Sequence, residues 1–267
     1  MPRRSSGIVA CSLGAWLLAS VPPAGAASAV LDVKLGAGAV DRVLLLQPDT
    51  PPTAALLMLP GGNGVVGIGS GGDIAVTGNF LVRTRNDWVK QGFAVAIPDT
   101  PSNHANALFG VRLTPEYADA LRRIVDAVRA KTNAPVWLVG TSQGTNAGVN
   151  AASRLPAGEL AGLVLTSSVT EPGSSPELRE TVFGANLAAI SVPTLIAYNT
   201  DDKCALTPVG NVARLKTALT KAPRLEVLSF SGGLPPKSKP CEAMSAHGFY
   251  GIEPEVVTRI SQWIKGS

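Results

Sequence analysis

The sequence predicts an α/β domain built on a mostly parallel, doubly wound sheet with helices on both faces. Three observations support this. Continuous apolar runs recur at Ala54–Leu59, Phe93–Pro98 and Val136–Val139, as expected for strands covered on both faces. Between and after them lie stretches whose apolar residues recur at helical spacing. The chain has 267 residues, 45% of them hydrophobic, which suits one core of this kind. Residues 30–267 read as a single domain, with no internal repeat and no low-complexity linker.

The N-terminus reads as a secretory signal over residues 1–29. Met1-Pro2-Arg3-Arg4 is a short positive segment, Gly7 to Val21 is apolar, and Pro22-Pro23 breaks any helix. Ala24-Gly25-Ala26 and Ala27-Ser28-Ala29 both match an A-x-A cleavage site, so removal is expected after Ala26 or Ala29. The apolar run is too short, and too soon broken by proline, for a confident membrane anchor. A secreted or periplasmic protein without a stable membrane span follows. The net charge of +4 includes Arg3 and Arg4. With no basic run and no basic–aromatic interleaving, nucleic acid is not expected as a partner. Of three cysteines, Cys11 leaves with the signal. Cys204 and Cys241 remain, an even pair in a chain bound for an oxidising compartment, and read as a disulfide. Two free buried thiols are the alternative.

The elements follow in order. Leu31–Leu35 and Val40–Leu46 alternate loosely around a glycine turn and predict an opening hairpin. Ala54–Leu59 is a central strand running into Pro60-Gly61-Gly62-Asn63-Gly64 and a glycine-rich loop through Gly72. Asn79–Gln91 is expected as a helix with Trp88 and Val89 inward, and Phe93–Pro98 as the next strand. Thr114-Pro115-Glu116 starts a helix, a capping hydroxyl followed by proline at the first helical position. Tyr117, Leu121, Ile124, Val125 and Val128 mark its inner face down to Lys131. After the strand at Val136, further strands are expected at Leu163–Leu165, Thr194–Tyr198 and Leu225–Phe230. A helix is expected around Val209–Leu219, and an amphipathic one over Pro254–Lys265 closes the chain. The segment between Leu165 and Leu195 is too short for a large lid.

Chemistry concentrates on Gly140-Thr141-Ser142-Gln143-Gly144, directly after the strand at Val136. Gly-x-Ser-x-Gly there suits a sharp strand-to-helix turn that holds Ser142 in a strained conformation at the apex. The N–H of Gln143, opening the helix, can point at whatever Ser142 attacks. A serine hydroxyl is a weak nucleophile and needs a base, which in turn needs an orienting acid. The chain has two histidines. His247 follows the last strand and precedes the closing helix, which places it on the carboxyl rim of the sheet with the elbow. His104 also lies on that rim, with solvation as its default and substrate contact as the alternative. Tyr198-Asn199-Thr200-Asp201-Asp202 emerges from the strand at Thr194, so Asp201 or Asp202 could orient the base, the other being a turn residue. The order Ser, Asp, His is the one expected of a triad on such a sheet.

From about Leu56 to the C-terminus the chain resembles the α/β-hydrolase family. Gly140–Gly144 resembles its nucleophile elbow, Asn199-Thr200-Asp201-Asp202 its acid turn, and His247-Gly248 its histidine loop. In that family the second of two adjacent acids usually serves, so the resemblance implies a Ser142–His247–Asp202 triad. Pro60-Gly61-Gly62-Asn63 resembles the family's His-Gly-Gly stretch with proline in place of histidine. The donors there are backbone N–H groups, which implies an oxyanion hole of Gln143 and Gly62, with Asn63 second. A phosphate-cradling loop is the competing interpretation of Gly67–Gly72, but that stretch lacks a Lys-Ser/Thr ending and a helix-opening G-x-G-x-x-G after a strand.

These features imply a secreted serine hydrolase acting on a small-molecule or polymeric ester through an acyl-enzyme. No metal or organic cofactor is called for. Peptidase, amidase and thioesterase chemistry use the same triad, and the fold also hosts noncatalytic binding proteins. A Cys204–Cys241 bridge would tie the acid loop to the histidine loop, closing about 36 residues and stabilising by about 3–4 kcal/mol in the chain-entropy model.

Overall fold

A computed structural model describes Met1 and residues 27–266. The expected signal segment therefore lies outside the described residues, apart from Met1 and the stretch at Ala27–Ala29.

Among the described residues, eight strands form one sheet: β1 (Ala27–Lys34), β2 (Val40–Gln47), β3 (Ala55–Leu59), β4 (Ala94–Pro98), β5 (Val136–Thr141), β6 (Gly162–Thr166), β7 (Thr194–Asn199) and β8 (Leu225–Phe230). Their order is β1-β2-β4-β3-β5-β6-β7-β8. The β1–β2 hairpin is antiparallel and β2 meets β4 antiparallel; every later pairing is parallel. β5 sits centrally, with Gly140 opposite Leu59 on one side and Leu165 on the other. β1 begins four residues earlier than the alternation at Leu31 shows. Small Ala27, Ser28 and Ala29 continue the ladder by pairing with Gln47, Leu46 and Leu45. Of the two expected cleavage points, Ala29 thus falls inside a strand and Ala26 just ahead of it.

The alternation along each strand divides the core in two. Leu57, Val136, Leu138, Leu163 and Leu165 face α3 (Pro115–Thr132), α4 (Gly144–Arg154) and α5 (Val212–Ala218). Leu56, Met58, Trp137, Val139 and Val164 face α1 (Phe80–Arg83), α2 (Arg85–Lys90) and α6 (Glu253–Lys265). This period-two division of apolar side chains is what covers both faces of a parallel sheet. Thr114 caps α3 by accepting from the Tyr117 N–H, with Pro115 in the first turn, as the sequence predicts. Trp263 of α6 packs edge-on to Trp137 of β5, with ring centroids 5.6 Å apart.

One expected helix divides. Asn79–Gln91 breaks between α1 and α2 at Thr84, where ψ reaches 2°. Thr84 Oγ1 donates back to Phe80 O at 2.7 Å and accepts from Trp88 Nε1 at 3.0 Å. Such a hydroxyl competes with the helical ladder and bends it. Between β6 and β7 there is no lid, only short 3₁₀ turns whose Val182, Leu187 and Ile190 join the core beside α4.

Candidate active site

The elbow after β5 has the geometry its glycines imply. Ser142 stands at φ 51°, in the left-handed region, which costs a non-glycine residue about 1–3 kcal/mol. The Ser142 N–H donates to Thr166 O at 3.0 Å, fastening the strained residue to β6. α4 leaves the elbow so close to β3 that a Cβ on Gly144 would lie 1.9 Å from Leu59 O. Gly61 has the same role on the facing loop, where a Cβ would lie 2.9 Å from Ser142 Cβ.

The acid loop leaves β7 in the same direction. Asp202 is buried, and its Oδ1 accepts from the Cys204 N–H at 2.8 Å. Its Oδ2 accepts from Thr207 Oγ1 at 2.8 Å and lies 2.9 Å from His247 Nδ1. Asp201 is exposed, and its Oδ2 accepts from the Gly232 N–H at 2.7 Å. The two adjacent acids thus separate, one facing the histidine and the other closing a turn. His247 lies in a single 3₁₀ turn after β8, with the Ser245 hydroxyl accepting from its N–H. Its side chain is 4% exposed, and its Nε2 is buried without a hydrogen-bond partner among the described residues.

Ser142 and His247 line one cleft of about 310 Å³. Gly61, Gly62, Asn63, Val65, Val76 and Phe80 form one wall, and Cys241, Glu242 and Ala243 form part of the other. The backbone N–H groups of Gly62, Asn63 and Gln143 donate no hydrogen bond among the described residues. Cys204 and Cys241 are disulfide-bonded, and the bridge joins the acid loop to the cleft wall beside His247. His104 is not part of this group. It is exposed and lines a separate cleft with Leu35, Pro101 and Tyr117. Among the described residues, no group of three or more His, Cys, Asp or Glu side chains is arranged to hold a metal ion.

Several supports carry no sequence motif. Ser167, at φ 46°, donates its hydroxyl to His247 O at 2.7 Å. Arg83 of α1 donates to Gly248 O and pairs with Glu253 at 2.9 Å, holding the histidine loop against α6. Burial lowers the pKa of the Arg83 guanidinium, and Glu253 opposes that shift. Thr207 bridges the acid and the histidine, its Oγ1 also lying 3.3 Å from His247 Nδ1. Arg112, buried behind the glycine loop, donates to Gly62 O at 2.9 Å. Burial lowers its pKa, opposed by Tyr117 and Glu180, while burial raises that of Glu180.

No protein-family model matches the chain, and a search of curated proteins finds no match in sequence. Solved structures do match in shape. An esterase of Pyrococcus furiosus superposes with a TM-score of 0.65 at 11% identity, over 90% of this chain and 91% of that one. A predicted CIB-like hydrolase from Thermoplasma acidophilum gives 0.58 at 15% identity, over 91% and 100%. A cold-adapted esterase from an Arctic intertidal metagenomic library gives 0.55 at 15%, over 88% and 92%. With the central parallel sheet, the helices on both faces and the elbow after β5, these likenesses identify the architecture as the α/β-hydrolase fold.

Proposed function

We propose that the protein is a secreted serine hydrolase that cleaves carboxylic esters. The observation that carries this is the state of His247: Nδ1 lies 2.9 Å from buried Asp202 Oδ2, and Nε2 has no hydrogen-bond partner among the described residues in the cleft that Ser142 lines. An imidazole so held keeps Nδ1 protonated and leaves Nε2 to accept a proton. The esterases among its structural neighbours support an ester as substrate.

The steps follow from those roles. Ser142 Oγ attacks the ester carbonyl carbon as its proton passes to His247 Nε2. The carbonyl π electrons move to oxygen, and the resulting oxyanion accepts hydrogen bonds from the Gln143 N–H and the Gly62 or Asn63 N–H. Collapse re-forms the carbonyl and expels the alcohol, which takes the proton from His247. Water, deprotonated by His247, then attacks the acyl-enzyme, and a second collapse releases the acid and returns the proton to Ser142. Asp202 stays ionised throughout and stabilises the imidazolium. Removing one oxyanion donor in such a site costs about a hundredfold or more in rate.

A fluorophosphonate probe tests the proposal. It is expected to label Ser142, and Ser142→Ala is expected to abolish both labelling and turnover of p-nitrophenyl acetate. Labelling that survives the substitution rejects Ser142 as nucleophile. Folded protein with neither labelling nor turnover favours a binding protein instead. A panel of acyl esters, thioesters and aminoacyl anilides separates esterase from thioesterase and amidase action.

A further inference from the structure

Arg112 is 1% exposed, lies just ahead of α3, and has no motif around it. Its side chain makes one hydrogen bond among the described residues, from Nη2 to Gly62 O at 2.9 Å. Nη1 is buried without a hydrogen-bond partner among the described residues, and the guanidinium lies 6.0 Å from the Phe109 ring centroid. Its own carbonyl accepts from Asn150 Nδ2 of α4 at 2.9 Å, so the residue links the glycine loop to the helix that opens at Gln143. Burying a guanidinium with so few partners is costly, and an apolar side chain of similar length would fill the same space without that cost.

The hydrogen bond has a geometric corollary. The Gly62–Asn63 peptide is trans, so the Asn63 N–H points opposite to the Gly62 carbonyl. With that carbonyl turned inward to Arg112, the Asn63 N–H turns outward. Asn63 lines the cleft with Ser142, and its N–H donates to nothing among the described residues. A cation on the carbonyl also withdraws charge through the amide and makes the N–H a stronger donor.

We infer that Arg112 is a positioning residue that fixes and polarises the Gly62–Asn63 peptide so that the Asn63 N–H donates to the oxyanion. This rests on Ser142 being the nucleophile of an ester hydrolase. It ranks Asn63 above Gly62 as the loop donor. Arg112 itself touches no reacting atom and exchanges no proton.

Arg112→Met keeps the side-chain length and removes the charge and donor. In the full chain with its disulfide intact, kcat for p-nitrophenyl acetate is expected to fall about 10- to 100-fold, less than or equal to the loss of a whole donor, with KM within about threefold. Affinity for phenylboronic acid, whose serine adduct carries a tetrahedral oxyanion, is expected to fall in parallel. Arg112→Lys, which keeps the charge, is expected to retain part of kcat. A merely structural role predicts otherwise: folded Arg112→Met with kcat within twofold, or equal damage to KM with unchanged boronate affinity, overturns the inference. If the methionine variant does not fold, the lysine variant decides. A lowered kcat at constant KM supports the inference, and full kcat together with full boronate affinity overturns it. Turnover that survives Ser142→Ala would instead reject the serine-hydrolase assignment, so the two failures are distinguishable.

Discussion

Thr207 Oγ1 donates to the same Asp202 oxygen that His247 Nδ1 approaches, at 2.8 Å and 2.9 Å respectively. The hydroxyl satisfies one lone pair of the buried carboxylate and leaves another for the imidazole. Thr207→Val is isosteric and removes the donor, so kcat is expected to fall about 10- to 100-fold, on the order of the net worth of one hydrogen bond to a charged group. Thr207→Ser is expected to stay within about twofold of the parent. Steady-state kinetics on p-nitrophenyl acetate read both, and a larger loss in Thr207→Ser than in Thr207→Val would show that the methyl group matters more than the hydroxyl.

The adjacent acids separate the same way by mutation. Asp202→Asn is expected to lower kcat by about 10³- to 10⁴-fold, because an amide cannot hold the productive tautomer of His247. Asp201→Asn touches only the exposed bond to the Gly232 N–H and is expected to leave kcat within about twofold. If Asp201→Asn proved the more damaging of the two, the acid would be wrongly assigned.

The disulfide holds two loops that must keep hydrogen-bond geometry. Cys204 follows the acid by two residues and donates its N–H to it, and Cys241 stands in the cleft wall. Reduction, or Cys241→Ser, is expected to lower kcat at temperatures where circular dichroism still reports folded protein, together with a loss of about 3–4 kcal/mol of stability. Full turnover after complete reduction would remove the bridge from any part in the site's geometry.

Asp41 on β2 is fully buried, neither carboxylate oxygen has a close hydrogen-bond partner among the described residues, and burial, then nearby Asp99, raises its pKa well above the ordinary value against the lowering pull of the Asp99 and Arg42 backbone N–H groups. Above about pH 3.9 the unfolded chain releases this proton while the folded chain retains it. Folding stability is therefore fully present below that pH and falls as pH rises through the folded-state pKa. Asp41→Asn removes the penalty. Its Tm relative to the parent is expected to be near equal at pH 4 and to rise above it by pH 8; a gap that closes or reverses with rising pH would contradict the sign.

The fold and three residues of the candidate site are legible in the sequence because each has local punctuation. Ser142 has flanking glycines, Asp202 follows an apolar strand, and His247 precedes the closing helix on the same rim. The hairpin, the central strands and the capped helix α3 are legible for the same reason, in periodicity and caps. Thr84 is not, because its effect depends on Trp88 reaching its hydroxyl within an otherwise helical pattern. Thr207, Ser167, Arg83 and Arg112 act through contacts between segments far apart in the chain, and a lone threonine or arginine has no spacing to announce that. The residues alone leave Asp201 and Asp202 equivalent, since only packing turns one of the two neighbours to the histidine and the other to the Gly232 N–H.

α4 is buried along nearly its whole length, from Gly144 through Ala152. Its N-terminal partial positive charge opens at Gln143, beneath the position where negative charge would develop. Dissolved ions screen exposed charges over about 8–10 Å at ordinary ionic strength but hardly enter such an interior. The body of this helix is therefore insulated from salt, and screening reaches its positive end only through the cleft that Ser142 lines.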